Sequence, residues 1–304
     1  MAGTRRISTA QNNDKSVTLL RAIAVAHRYS QRAQGGSLAV SVLVAALGLM
    51  TRPAPGTTPT VVLVGTGWAV IYATLVVPWS ARHMRTSAML QEMFDVGLFN
   101  LPWNGVLVGD RVSEDDVSQL SRRFRGDLNR LRDYYLVANV PAPHDVLFCL
   151  KQNLAWGSRV RRRFANVLVV VVVLWLATGF IVGIATGGTI SQFVTQWFVP
   201  SLGLLLLCLD IYRAQVSITR ERARVVVLLR PVVDDPASPV LASDLTFTAF
   251  ARRIQDVLFQ LRRQQPRTPD WFFRLFHDRD KEDFQFEMQH LEARLGDATT
   301  QSPP

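Results

Sequence analysis

The chain has 304 residues and a formal net charge of +10, yet only 19% of its residues are charged and 48% are hydrophobic, with a mean hydropathy of +0.14. That balance excludes both an average soluble chain and a pure membrane bundle, and predicts a few membrane spans joined to sizeable polar parts. The two cysteines, Cys149 and Cys208, stand far apart, which excludes a disulfide framework or a zinc site by spacing and makes both read as small buried residues.

Residues 1–34 are polar and basic, and the first apolar run begins too late for a signal peptide. Four uncharged apolar runs follow: GGSLAVSVLVAALGLM (35–50), VVLVGTGWAVIYATLVVPW (61–79), FANVLVVVVVLWLATGFIVGIATGG (164–188) and FVTQWFVPSLGLLLLCL (193–209). A spanning helix needs about 20 residues, so the second and third runs stand alone as spans. The first and fourth are each paired with one of these through a short turn, TRPAPGTTPT (51–60) or TISQ (189–192). The expectation is an all-α membrane protein with four transmembrane helices in two hairpins, 35–79 and 164–209. The competing reading is buried core helices of a soluble domain, or a strand over Val167–Val173.

Positive charge orients the spans. The hairpin turns hold one Lys/Arg, Arg52, against six in residues 1–34, thirteen in 80–163 and fourteen in 213–304. The basic segments are therefore expected to face the cytoplasm, with both termini on the cytoplasmic side. Trp79, Trp175 and Trp197 are candidate interfacial anchors.

Residues 80–163 form a helical cytosolic middle domain. SARHMRTSAMLQEMFD continues the second span as helix until Gly97, Pro102 and Gly105 break it. Ser113 is an expected N-cap, with Asp116 three residues on, for a helix carrying Val117, Leu120, Phe124, Leu128 and Leu131. DVLFCLKQNLAWGSRVRRRF is expected to run unbroken into the third span. Residues 210–296 form a helical cytosolic C-terminal region. Ala214–Val233 extends the fourth span, and DDPASP is a linker. LTFTAFARRIQDVLFQLRR is amphipathic through Leu245, Phe250, Ile254, Val257, Leu258 and Leu261. After PRTPDWFFRLF a last helix carries Phe284, Met288, Leu291 and Leu295, and 297–304 is an expected disordered tail.

No catalytic constellation stands out. There is no Walker-type loop, no HExxH and no GxSxG, and the five histidines are scattered. GTG at 65–67 reads as a close helix contact. The acidic run Ser113–Asp116 reads as a solvated helix start. No span carries an ionisable residue of the kind a proton or ion relay uses. No enzymatic activity, metal or cofactor is therefore expected.

Two stretches carry chemistry. Arg159, Arg161, Arg162 and Arg163 precede the third span, with Lys151, Asn153 and Trp156 one or two turns earlier. Arginine forks pair with phosphates and tryptophan stacks on bases, although juxtamembrane arginines also anchor helices to anionic headgroups. The other stretch is QEMFDVGLFNLPWN (91–104), which combines Phe94, Phe99 and Trp103 with Gln91, Glu92, Asp95, Asn100 and Asn104.

These stretches resemble the four-transmembrane pore-forming effector family associated with CBASS anti-phage systems. QEMFDVGLFNLPWN is similar to that family's QExFDxxxFxLPWN segment, CLKQNLAWGSRVRRRF (149–164) to its CxxxNxxWxxxxRRxY/F segment, and TPDWFFRLFHDRDKEDF (268–284) to its C-terminal segment. Gly157 stands where the family pattern has an acidic residue. The resemblance implies a membrane effector activated by a cyclic oligonucleotide from a partner nucleotidyltransferase, acting on the lipid bilayer to cause abortive infection. No DNA or RNA polymer is implied. Four helices are too few for a roomy pore, so a homo-oligomer is expected. The ligand is then expected on Lys151, Asn153, Trp156, Arg159, Arg161, Arg162, Arg163, Trp103 and Asn104. Gln91, Glu92, Phe94 and Asp95 are expected to couple that site to the spans. The same features without the resemblance fit a non-channel scaffold that binds a cytosolic partner protein.

Overall fold

A computed structural model describes residues 7–50, 58–136, 142–235, 237–264, 268–269 and 271–276, with helical positions at 282, 285–286, 289 and 293. The elements in chain order are α1 (Ile7–Ala10), α2 (Asp14–Met50) and α3, which runs Thr58–Ile71, a π turn Tyr72–Val76, then Val77–Phe99. After these come α4 (Gly105–Val108), α5 (Glu114–Arg122), α6 (His144–Ala155) and α7 (Ser158–Ala185). Helix α8 runs Ile190–Phe193, a π turn Val194–Phe198, then Val199–Asp234, and α9 is Asp244–Gln264. The described residues contain no strand.

Among the described residues, three helical stretches are long and apolar enough to cross a membrane: Pro59–Phe99, His144–Ala185 and Ile190–Asp234. Helix α2, which carries the first apolar run, is not among them. The 41 residues of Pro59–Phe99 reach about 60 Å at 1.5 Å per residue, twice a bilayer core of about 30 Å. Half of that helix must therefore project. Helix α2 likewise passes Gly35 and Gly36 without a break, and α8 continues past residue 209. The expected limits at 34/35, 79/80, 163/164 and 209/210 fall inside continuous helices.

Both π turns have a local cause. Pro78 and Pro200 have no N–H and clash with the carbonyl four residues back, and those residues, Thr74 and Gln196, lie inside the π turns. The wider turn accommodates each proline without ending the helix.

The apolar segments pack through small residues, as membrane helices do. A Cβ on Gly65 would sit 2.9 Å from the Pro200 Cα, one on Gly203 2.7 Å from the Trp68 ring, and one on Gly179 2.2 Å from Trp197. The Gly65 contact agrees with the helix-contact reading of GTG. Trp68 Nε1 donates to Ser41 Oγ at 2.8 Å, and Trp175 Nε1 to Ser201 Oγ at 2.9 Å. Ala45, Tyr72, Phe164, Leu168, Leu204 and Leu207 share one core. Leu63, Leu75, Phe180 and Ile181 stay exposed on the outside. Trp197 is buried against Gly179 and stacks on Trp175 at 4.8 Å, so it is a packing residue rather than an interfacial anchor.

A second, larger core gathers the polar half of the chain. It joins Leu20 and Ile23 of α2, Leu90 and Phe94 of α3, Leu147 and Leu150 of α6, Val225 and Leu229 of α8, and Ile254 and Leu258 of α9. The polar ends of α2, α3 and α8 thus meet α6 and α9 in one helical body.

Four sequence expectations change. Helix α3 passes Gly97 and ends at Asn100, whose φ of 52° is the left-handed conformation that asparagine tolerates at a helix C-terminus. Ser113 caps α5 by accepting from the Asp116 N–H at 3.1 Å, as expected. That helix stops at Arg122, however, because Gly126 disfavours helix and Asp127 starts a separate turn by accepting from the Asn129 N–H at 2.9 Å. Phe124, Leu128 and Leu131 therefore lie beyond it. The run into the third span is broken: Gly157, at φ 73°, separates α6 from α7. Lastly, α9 buries Phe247, Ala251, Ile254, Leu258 and Phe259, with Phe250 and Val257 at the edge, and Leu245 is 80% exposed on the outer side. Phe284, Met288, Leu291, Leu295 and the tail 297–304 lie outside the described residues, as does most of the turn 51–60.

Candidate functional site

The polar half of α3 carries Gln91, Glu92, Phe94 and Asp95, all buried, with both carboxylates fully inaccessible. A buried carboxylate without partners is costly, so each must be held. The partners come from α9, more than 150 residues away in the chain. Arg252 forms an ion pair with Glu92 and a second with Asp256 at 2.9 Å, and donates to the Pro102 carbonyl at 3.1 Å. Arg262 donates to Asp95 Oδ2 at 2.6 Å. Gln255 stands between them and donates from one nitrogen to Glu92 Oε2 at 2.9 Å and to Asp95 Oδ2 at 3.0 Å.

From Asp95 the network continues to the connector before α6. The Tyr135 hydroxyl donates to Asp95 Oδ1 at 2.6 Å and accepts from Asn153 Nδ2 at 2.7 Å. Phe94 stacks on Tyr135 at 6.2 Å and meets Tyr134 edge-on at 5.5 Å, and Gln91 donates to the Tyr134 hydroxyl. At the broken joint, Arg222 of α8 donates to the carbonyls of Asn153 at 2.8 Å and Trp156 at 3.2 Å. Those carbonyls belong to the last turn of α6, where helix geometry leaves acceptors unpaired. The left-handed Gly157 and the buried Arg222 together fix the turn from α6 into the third span.

Burial dominates the electrostatics. It pushes the Glu92 carboxyl above its ordinary value, and the Arg252 guanidinium pulls it back only in part. Burial, then the Asp95 carboxylate, drives the Tyr135 phenol well upward, so it remains a donor. Burial lowers the Arg222 guanidinium to about 10, with the Arg262 charge adding to it. For Arg262 burial also acts downward, but the Asp95 carboxylate and its hydrogen bond outweigh it and raise the group.

The residues expected to bind a ligand divide into separate places. Asn104 accepts from the Leu107 N–H at 3.2 Å, which caps α4, and donates to Asp256 Oδ2 at 3.1 Å. Trp103 donates to the Gly109 carbonyl at 3.0 Å, and the Arg111 guanidinium lies 5.0 Å above its ring. Asn153 and Trp156 belong to the network at the α6–α7 joint. Lys151 is half-buried on α6, and Arg159 and Arg162 are exposed on α7. Arg161 donates to Gln215 Oε1 at 3.5 Å, and Arg163 lies 4.6 Å over the Phe276 ring. Phe164 meets Phe272 at 5.2 Å, so the helical turn at 271–276 docks on the base of the third-span helix. The three stretches that carried the resemblance are therefore joined: the first to the second through Asp95, Tyr135 and Asn153, and the second to the third through Phe164 and Phe272.

Arg222, Arg252, Gln255 and Arg262 were missed from sequence. The signal was present on α9, where Arg252, Gln255 and Arg262 fall at helical spacing among the apolar residues rather than opposite them. Among the described residues, no cluster of His, Cys, Asp and Glu is arranged to hold a metal ion. Cys149 and Cys208 are free and buried.

The fold and its network define a helical membrane protein whose polar body is built on the ends of its own membrane-crossing helices. The comparison with protein families matches residues 5–291 to the SMODS-associating 4TM effector domain, and the chain belongs to that family. It is also 25% identical over 283 residues, 90% of this chain and 93% of the relative, to a Bacillus cereus (strain VD146) protein described as "Probable CBASS effector molecule". No solved structure matches significantly.

Proposed function

We propose that the chain is the membrane effector of a CBASS anti-phage system. A cyclic oligonucleotide, made by a partner nucleotidyltransferase after infection, binds the cytosolic body. A homo-oligomer then assembles or opens, the bacterial inner membrane leaks, and infection aborts. The four apolar runs cross the membrane as two hairpins with both termini cytoplasmic, and the chain binds and moves rather than catalyses.

The observation that carries this reading is the buried network on α3. Glu92 and Asp95 sit on the same continuous helix as the second apolar run and are gripped by Arg252, Gln255 and Arg262 of α9. A shift of α9 relative to α3 must rearrange buried charges, so it is transmitted to the span rather than absorbed. Such packed polar contacts are bistable rather than continuously deformable. The family and the name of the Bacillus relative support the same reading.

The test is dye or ion release from liposomes holding the purified chain, with a panel of cyclic di- and trinucleotides. Release that depends on one of them is expected. Liposomes that stay tight with every nucleotide, while the protein holds a stoichiometric protein partner, would replace this reading with a scaffold.

A further inference from the structure

A groove of about 1010 Å³ opens between the polar part of α8 and the outer side of α9. Its volume is at the upper end of the range of about 300–1,000 Å³ typical of small-molecule sites. Arg213, Ser217 and Arg220 of α8 line one wall, Asp256, Gln260 and Gln264 of α9 the other, and Asn104 closes one end.

The charge in the groove is cationic, because its acids are already engaged. Asp256 is held by Arg252 and Asn104, and Glu221 pairs with Arg224. Arg213 and Arg220 are exposed and hold no carboxylate among the described residues. They stand seven residues apart on one helix face, about 10 Å along the axis. Two guanidinium groups at that separation suit two phosphates of one ligand better than a single phosphate. Between them the lining is apolar, from Val216, Val257 and Leu261, with the Tyr212 ring at one end. Such surfaces take the flat faces of bases. Gln260 and Gln264, one turn apart, offer amide donors and acceptors to base edges.

We propose that this groove is where the cyclic oligonucleotide is read. Arg213 and Arg220 hold two of its phosphodiesters, and the apolar floor takes its bases. This assignment rests on the function proposed above and moves the ligand away from the Arg159–Arg163 run. Both walls lead to the membrane. Helix α8 continues directly into the fourth apolar run, and Asp256 is one ion pair from Arg252 and two from Glu92 on the helix of the second. A ligand that pulls Arg213 and Arg220 toward α9 would change the α8–α9 spacing at the point where the buried network is anchored.

The experiment uses the full chain in nanodiscs of phosphatidylcholine, with thermal shift and equilibrium binding to cyclic di-adenylate, cyclic GMP–AMP and cyclic tri-adenylate. A parallel arm uses phosphatidylglycerol nanodiscs without nucleotide, because a phospholipid headgroup offers the same phosphodiester chemistry. The variants are Arg213→Ala with Arg220→Ala, and Ser217→Trp, which fills the groove from an exposed position without removing a buried group. For the probe that binds wild type, each variant is expected to weaken binding by at least about tenfold, the order for losing charge-assisted phosphate bonds, with the unliganded melting temperature unchanged. Wild-type binding that both variants retain in full overturns the groove assignment and leaves the proposed function standing. Wild type that responds to none of the three probes overturns both. A double-arginine effect seen only with phosphatidylglycerol overturns the assignment in favour of a headgroup site.

Discussion

Arg262 and Asp95 lie 167 residues apart in the chain and meet at 2.6 Å in the interior, with Asp95 fully inaccessible. Two charges buried together hold only as a pair, since the solvation each has lost is restored by the other. Asp95→Ala therefore leaves an uncompensated guanidinium inside the body and is expected to cost about 3–5 kcal/mol. Arg262→Met alone should cost a similar amount, and the double variant less than the sum of the two, because the orphan charge is gone. Thermal unfolding of the four proteins in one detergent measures this. Strict additivity would mean that the pair carries no coupling.

Glu92 gives a pH dependence with a definite sign. Burial raises its carboxyl in the folded chain above the unfolded value of about 4.3. The fold thus binds that proton more tightly. The associated stability is fully present below the unfolded value and is lost as pH rises through the raised folded value. Glu92→Gln has no proton to lose. The stability of the variant relative to wild type should therefore rise as pH is increased from 4, read as the difference between their melting temperatures. A difference that stays flat with pH would show that Arg252 fully offsets the burial.

Much of this arrangement was legible in sequence, and the remainder failed for identifiable reasons. The second, third and fourth uncharged runs fall on the three helices long and apolar enough to cross a membrane. QEMFDVGLFNLPWN was legible as a packed joint because its acids stand beside aromatic residues. Its partners were not, since pairing Glu92 with Arg252 needs a contact 160 residues distant, and no local period reports that. The break at Gly157 was hidden by its surroundings. An isolated glycine is tolerated inside a helical pattern, and only the left-handed backbone at Gly157 and the buried Arg222, drawn from α8, reveal that α6 ends there. The first apolar run shows the converse limit. Its 16 residues, 35–50, read as a separate element, whereas α2 begins at Asp14 and spends its first half in the larger helical core.

Gly65 and Gly67 provide an internal control for the membrane-embedded packing. A methyl group on Gly65 would stand 2.9 Å from the Pro200 backbone, which cannot move aside as a side chain can, whereas Gly67 has nothing within 4 Å. Gly65→Ala should therefore separate α3 from α8 and cost about 1–3 kcal/mol, the range for overpacking a well-filled site. Gly67→Ala should be neutral or slightly stabilising, because it lowers the entropy of the unfolded chain. Melting temperatures in detergent distinguish them, and equal effects would place the α3–α8 contact elsewhere.

Gly157 should respond through its backbone alone. Its φ of 73° is unfavourable for other residues, while the nearest atom to a new Cβ, on Phe273, lies at an ordinary 3.7 Å. Gly157→Ala is thus expected to cost about 1–2 kcal/mol from the left-handed conformation. The strain favours straightening the α6–α7 joint into one helix, which would withdraw the carbonyls that Arg222 holds. An unchanged melting temperature together with unchanged leakage would mean that the joint bears no load.

Arg252 separates binding from response most directly. It holds Glu92 on the second-run helix, Asp256 beside the groove, and the Pro102 carbonyl, three acceptors in different directions that suit a planar fork. Arg252→Lys keeps the charge, so Glu92 and Asp256 remain compensated and the body should fold. An ammonium cannot span all three acceptors with fixed geometry, and the link between groove and span should loosen. Under the proposed function, the variant should retain most of its nucleotide-induced thermal shift and lose at least about tenfold in nucleotide-dependent liposome release, equivalent to about 1.4 kcal/mol of coupling. Binding and release that fall in parallel would instead make Arg252 part of the ligand site. Full retention of both would route the signal along α8 through Arg213 and Arg220, without the buried network.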